Sequence, residues 1–112
     1  MSPVSDRPLA WLHGKVHSPP FSKAARIEAG QLLRRLQEGE GLRMPHSRPM
    51  PGIGPRCHEL RIADAGSAWR IVYRLDPDAV LVLDVFEKRT RKTPLHTLHL
   101  CRQRLKRYEE DR

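Results

Sequence analysis

Three consecutive stretches decide the fold: Arg56-Cys57-His58-Glu59-Leu60-Arg61-Ile62-Ala63, then Ala68-Trp69-Arg70-Ile71-Val72-Tyr73-Arg74-Leu75, then Ala79-Val80-Leu81-Val82-Leu83-Asp84-Val85-Phe86-Glu87-Lys88. Each is short and rich in β-branched or aromatic residues, which suits a pleated, half-buried surface. Between them lie Asp64-Ala65-Gly66-Ser67 and Asp76-Pro77-Asp78, both of hairpin composition. The expectation is an antiparallel meander. Side chains along a strand alternate between faces, so Leu60 and Ile62 share one face, with Cys57, Glu59 and Arg61 on the other. Trp69, Ile71, Tyr73 and Leu75 form an apolar face backed by Arg70, Val72 and Arg74. The last stretch divides into Leu81, Leu83 and Val85 against Val82, Asp84, Phe86 and Lys88. Arg61, Arg70, Arg74 and Lys88 then gather on one face, with Glu59 and Asp84 as available salt-bridge partners.

Upstream, Met44 to Pro55 carries four prolines and two glycines, a spacing that predicts a loop. Before it, Phe21, Ala25, Ala29, Leu32 and Leu36 recur at helical steps. A helix is expected over about 20–38, started by Ser18-Pro19-Pro20 and stopped by Gly39 and Gly41. Leu9 to His13 reads as a first strand ended by Gly14, after a frayed tail of eight residues. Downstream, Thr93 as N-cap and Pro94 at the first helical position introduce a basic C-terminal helix. Leu95, Leu98, Cys101, Leu105 and Tyr108 mark its apolar side. The expected fold class is α+β, ordered β-α-βββ-α, in one domain spanning 1–112. The first helix covers the apolar face, and Val82 and Phe86 draw partial cover from the last one.

Charge narrows the function. The chain has 21 Lys+Arg against 13 Asp+Glu, a net +8, which attracts polyanions and makes nucleic acid the foremost partner. Residues 88–107 hold eight Lys/Arg and no Asp or Glu, a concentrated footprint for phosphates that includes Arg89, Arg91 and Lys92. No apolar run approaches the roughly 18 residues of a membrane span, and the N-terminus has no signal-peptide pattern. Cys57 and Cys101 form no CxxC pair, so a cytoplasmic protein with reduced thiols is expected. No cofactor or metal is expected either. His96 and His99 are three apart on a helix without a nearby carboxylate, and Pro51-Gly52-Ile53-Gly54-Pro55 lacks the helix and lysine of a nucleotide loop. His13, His17 and His46 read as ordinary surface histidines, and His58 as a hydrogen-bonded residue at the edge of the core.

RNA offers a reaction that such residues can perform. Attack of a 2′-hydroxyl on its own phosphodiester needs a proton acceptor, stabilisation of charge on the phosphorane, and a donor to the 5′-oxygen. Arginine and lysine meet the second need through charge-assisted hydrogen bonds. Lys88 is a proton-transfer candidate because neighbouring cations depress its pKa. Tyr108 is another if the last helix folds over the open face. Tyr73 shares an apolar face and reads as core.

The blocks His58-Glu59-Leu60-Arg61, Trp69-Arg70-Ile71-Val72-Tyr73 and Val85-Phe86-Glu87-Lys88-Arg89-Thr90-Arg91-Lys92-Thr93-Pro94 resemble the ELR, (W/Y)RI-x-Y and F-x-K-K-T-x-x-T-P blocks of the phage-derived, HigB-like branch of the RelE/ParE toxin superfamily. The resemblance covers about residues 56–108. It implies a RelE-like fold, with helices on one side of a small antiparallel sheet and a basic cleft on the other. It also implies a toxin that cleaves mRNA on the ribosome and is silenced by a co-encoded antitoxin. The ELR arginine falls on Arg61, the WRI arginine on Arg70 and the first lysine of F-x-K-K-T on Lys88, while Arg89 replaces the second lysine. Arg61, Arg70 and Lys88 are therefore the expected catalytic residues. Arg74, Arg89, Arg91, Lys92 and Tyr108 are the expected RNA contacts. Two rival functions share the fold: a non-catalytic member that only binds RNA or a protein partner, and a ParE-type toxin directed at gyrase.

Overall fold

The computed structural model describes residues 6–12, 21–89 and 92–112. Their order is β1 (Leu9–Trp11), α1 (Lys23–Gln37), β2 (Ser47–Pro49), β3 (Cys57–Asp64), β4 (Ser67–Leu75), β5 (Val80–Glu87) and α2 (Leu95–Glu110). The meander forms in the expected register, with Arg61 opposite Arg70 and Leu60 opposite Ile71. Gly66 takes φ 72° in the β3–β4 turn, a conformation that costs glycine nothing.

Two features correct the sequence reading of the sheet. It has five strands in the order β1-β5-β4-β3-β2 and is mixed, because β1 runs parallel to β5. A parallel pair needs a long crossover, and α1 with β2–β4 supplies it. Part of the supposed proline loop is β2, an antiparallel edge strand on β3. Pro49 is tolerated there because an edge strand has one side without a ladder partner. The rest of the loop is ordered by Met50 N–H donating to the Cys57 carbonyl (2.8 Å) and by an Arg102 guanidinium bond to the Gly52 carbonyl.

The helices do not share a face. Ala25, Ala29, Leu32, Leu33 and Leu36 of α1 pack on Leu60, Ile62, Trp69, Ile71, Tyr73, Val80 and Val82. Cys101 and Leu105 of α2 pack on Cys57, Val72, Leu81 and Leu83 from the opposite side. The reason lies in β5: Val80-Leu81-Val82-Leu83 is a continuous apolar run, buried throughout, and such a strand needs cover on both faces. A register irregularity opposite Val72 and Tyr73 then changes the parity of β5. Val85 consequently joins the α1 face with Val80 and Val82, rather than lying with Leu81 and Leu83.

The ends of the helices also differ from expectation. Ser22 caps α1, its Oγ accepting from Ala25 N–H at 3.1 Å, and Gly39 at φ 93° ends it. In α2 Pro94 occupies the cap position without a side-chain bond, and the buried Thr93 hydroxyl has no hydrogen-bond partner among the described residues. Leu95 is exposed, and Thr97 takes the buried place. Residues 6–8 are not frayed: Asp6 pairs with Arg34 at 2.6 Å, and Arg7 N–H donates to the Gln37 carbonyl at 2.9 Å. His13, Gly14, His17, Ser18-Pro19-Pro20 and Arg91 lie outside the described residues. Among the described residues no helix is long and apolar enough to cross a membrane.

Candidate functional site

The strand period delivers its cations to the face that carries α2, at the end of the sheet where β4 begins and β5 finishes. There Glu59 of β3 points from the sheet with Arg61 two positions on, and Arg70 of β4 lies beside Arg61. Lys88 follows directly after β5, its backbone N–H donating to the Ala68 carbonyl at 2.7 Å. From the edge strand β2, Arg48 stands opposite Glu59. The Glu59 carboxylate is fully buried. Its Oε1 lies 3.5 Å from Arg48 Nε, 3.6 Å from Arg70 Nε and 4.0 Å from Lys88 Nζ. Among the described residues no cation closes to hydrogen-bond length, and both carboxylate oxygens and Arg70 Nε have no hydrogen-bond partner.

The side chains of Arg70 and Lys88 are each only 9% exposed. Burial lowers the pKa of Arg70; Glu59 pulls it back up, while Arg61 and Arg48 lower it further. Lys88 shifts the same way. Its amine is lowered first by burial, against the opposing pull of Glu59, with Arg70, Arg48 and Arg61 adding to the fall. The direction matches the sequence expectation, but desolvation outweighs the neighbouring cations as its cause. Arg61 is half-buried and contacts the Met44 Sδ at 3.5 Å, a weak acceptor that leaves the guanidinium available to a stronger one.

Two shallow depressions open onto this cluster. One, of about 400 Å³, is lined by Glu28, Pro45, His46, Arg61, Ile62, Ala63, Ser67, Ala68 and Arg70. The other is lined by Asp64, Gly66, Glu87, Lys88 and Arg89, and shares Ser67 and Ala68 with the first. The first volume is within the range of small-ligand sites. The three expected catalytic residues thus meet around one hairpin end. Chemically, Arg48, Arg61, Arg70 and Lys88 gather about the buried Glu59, an arrangement that can take an anion, while Glu28, Asp64 and Glu87 also line the depressions.

The expected RNA-contacting residues scatter. Arg74 lies at the far end of β4, where Nε and Nη2 donate to Asp76 at 2.8 and 3.0 Å and Nη1 donates to Glu109 at 2.6 Å. Tyr108 is next to Glu109, at the end of α2 remote from Lys88, and the Arg112 guanidinium stands 5.4 Å from its ring centroid. Neither is brought to the cluster. Arg89 lies beside Lys88, exposed and paired with Glu87 at 2.8 Å. Lys92 lies just before α2. Of the basic segment 88–107, Arg104 is drawn to the Leu83 carbonyl and to Asp84, so part of that charge holds α2 to the sheet.

Sequence reasoning missed Arg48 and His46, both placed in a loop. The signal for Arg48 was its position one residue before Pro49, a pattern that an edge strand permits. His46 lines the depression with Arg61 and Arg70, and its carbonyl accepts the Arg61 N–H at 2.8 Å. Tyr73 is core as expected, its hydroxyl 2.6 Å from Ser47 Oγ and its ring stacked on His58. His58 Nδ1 is 3.1 Å from the Arg56 carbonyl, which agrees with a core-edge role. Burial pushes the Cys57 thiol up to about 11 and Cys101 up to about 12, so neither is a thiolate nucleophile at neutral pH. Among the described residues no three His, Cys, Asp or Glu side chains gather as metal ligands.

No curated protein matches the chain. The family model described as Phage derived protein Gp49-like (DUF891) matches residues 20–106, a span holding α1, β2–β5, most of α2 and all of Arg48, Glu59, Arg61, Arg70 and Lys88, and the chain belongs to that family.

Proposed function

We propose that this protein is the toxin of a toxin–antitoxin pair, an endoribonuclease that cuts mRNA on the ribosome without using a metal ion. The observation that supports it is the convergence of Arg48, Arg70 and Lys88 around a single carboxylate, with Arg61 opposite Arg70 at an open hairpin end. Arg61 and Arg70 grip the scissile phosphate and stabilise charge on the phosphorane. Lys88, its pKa lowered by burial, and the His46 imidazole are the groups positioned to move protons between the 2′-hydroxyl and the 5′-oxygen. Single-stranded RNA in the ribosomal decoding site presents successive phosphates to such an array, and Arg89 and Lys92 extend it. The three sequence blocks support a RelE-like architecture and, more finely, the HigB-like branch. A co-encoded antitoxin with an acidic segment is the partner that complements this charge, and the cytoplasm is where both substrate and antitoxin occur.

The test is induced expression in a bacterial host, with primer extension on a cellular mRNA. New 5′ ends within translated regions are expected. They disappear with Arg61→Ala, which retains wild-type thermal stability, and when translation initiation is blocked. Growth arrest with intact mRNA overturns the nuclease reading in favour of a gyrase-type target. Neither arrest nor cleavage leaves a non-catalytic binding protein.

A further inference from the structure

Glu59 is the buried group that phosphate gripping alone does not use. Its carboxylate has no exposed surface, and among the described residues neither oxygen has a hydrogen-bond partner. A carboxylate in that position is costly unless surrounding charge compensates it. Here compensation comes at a stand-off: three cations from three different strand regions converge on the same atom, Oε1, at 3.5, 3.6 and 4.0 Å. Asp76, a carboxylate equally sealed from solvent, instead closes on Arg74 at 2.8 and 3.0 Å. One oxygen shared among Arg48, Arg70 and Lys88 fixes them relative to one another without saturating any of them. Being sealed beneath those side chains, Glu59 reaches a substrate only through them.

We propose that Glu59 is a positioning residue: a fixed internal counter-charge that holds Arg48, Arg70 and Lys88 as one phosphate-binding array and limits how tightly that array holds an RNA phosphate. The identity of the gripped anion rests on the nuclease reading above. Three cations less one carboxylate leave a net attraction for phosphate, to which Arg61 adds. Without Glu59 the attraction grows, but like charges repel. Arg48, with a side chain 46% exposed, has room to swing away. Tighter binding and slower chemistry are then linked consequences of one change.

The experiment measures cleavage of an mRNA bound to bacterial ribosomes, and binding of an uncleavable 2′-O-methyl RNA oligonucleotide, at one ionic strength. Wild type is compared with Glu59→Gln, Glu59→Asp and Glu59→Gln/Arg48→Gln. Glu59→Gln is expected to bind the 2′-O-methyl RNA at least about threefold more tightly, from the Coulomb effect of one nearby charge, with KM lowered and kcat reduced about tenfold or more. Glu59→Asp recovers part of kcat. The double variant restores the local charge but not the anchor, so its affinity returns toward wild type while kcat stays low. It also carries the test if Glu59→Gln alone does not fold. Parallel loss of binding, kcat and folded protein makes Glu59 a structural strut and overturns the proposal. So do unchanged constants, or failure of both variants to fold. Wild type that binds RNA without cutting it removes the nuclease reading, and the affinity change still decides the counter-charge. Wild type that cuts RNA with Glu59→Gln its equal removes only the counter-charge, and wild type that does neither removes both.

Discussion

Strand β4 places two arginines on the same face four residues apart, and the molecule treats them oppositely. The side chains of Arg70 and Arg74 are equally buried, each 9% exposed. Arg74 is closed off: Asp76 and Glu109 take its donors at 2.6–3.0 Å, and Arg56 joins Asp76 at 3.5 Å. Two arginines meet two carboxylates there, and the pairing ties the C-terminal end of α2 to the sheet. Arg70 shares the Glu59 carboxylate, at 3.6 Å, with Arg48 and Lys88, and its Nη1 donates to the carbonyl of Trp69 at 3.0 Å. Burial being the same, the difference is the ratio of charges. Balanced charge at hydrogen-bond length makes a strut, whereas excess positive charge at longer range leaves capacity for an external anion.

The comparison breaks most visibly at Asp76. Asp76→Ala strands Arg74 with only the largely exposed Glu109, and a loss of about 3–5 kcal/mol is expected from urea denaturation. The surviving folded fraction keeps the proposed RNA cleavage activity at the wild-type rate. A loss under about 1 kcal/mol would show that this cluster is not a strut, since that is what exposed pairs contribute. Arg70→Met is the counterpart. It leaves Arg48 and Lys88 beside Glu59 and substitutes an apolar chain of similar length, so stability stays within about 1 kcal/mol of wild type. Cleavage falls about 100-fold or more as a phosphate ligand is lost. If Arg70→Met unfolds the protein as readily as Asp76→Ala, the two ends of β4 are alike and the distinction fails.

What the sequence revealed follows from which properties are local. Strand period and turn chemistry are local, so the β3–β5 meander was legible, and so was the meeting of Arg61 and Arg70, from Leu60-Arg61-Ile62 and Trp69-Arg70-Ile71. Lys88 was placed by the period of β5, which an irregularity partway along breaks for Val82. Glu59 was visible as a partner on the same face, although its stand-off distances were not. Arg74 shows the limit of that reasoning. Its face was read correctly, but its partner Glu109 is 35 residues away on a helix whose placement no strand period encodes. The side chosen by α2 was equally hidden, because it depends on the continuous apolar run of β5 requiring cover twice. Arg48 was obscured by Pro49, since proline normally argues against a strand and only an edge position relieves that objection. The parallel pairing of β1 depends on a crossover through most of the chain, which no pattern within Leu9–Trp11 announces.

The smallest expected effect tests the ionisation of the open cluster directly. Burial lowers the pKa of Lys88 from its ordinary value near 10.4, so between the folded and unfolded values the unfolded chain binds more protons than the native one. Stability then rises with pH through that window. Below it the lysine is protonated in both states, and the native state carries the full cost of the buried charge. Above it the cost is gone. Lys88→Met removes the titrating group while keeping the stem, so the advantage of Lys88→Met over wild type should be largest at neutral pH and shrink as pH approaches 10. Urea denaturation of both proteins at several pH values measures it as a difference, in which titrations common to both cancel. In Asp76→Ala, whose altered cluster is at the other end of β4, the pH trend set by Lys88 should persist. A constant gap between Lys88→Met and wild type would mean that Lys88 titrates as it does in the unfolded chain, and the array would then lack the poised amine that the proposed proton transfer at an RNA phosphate requires.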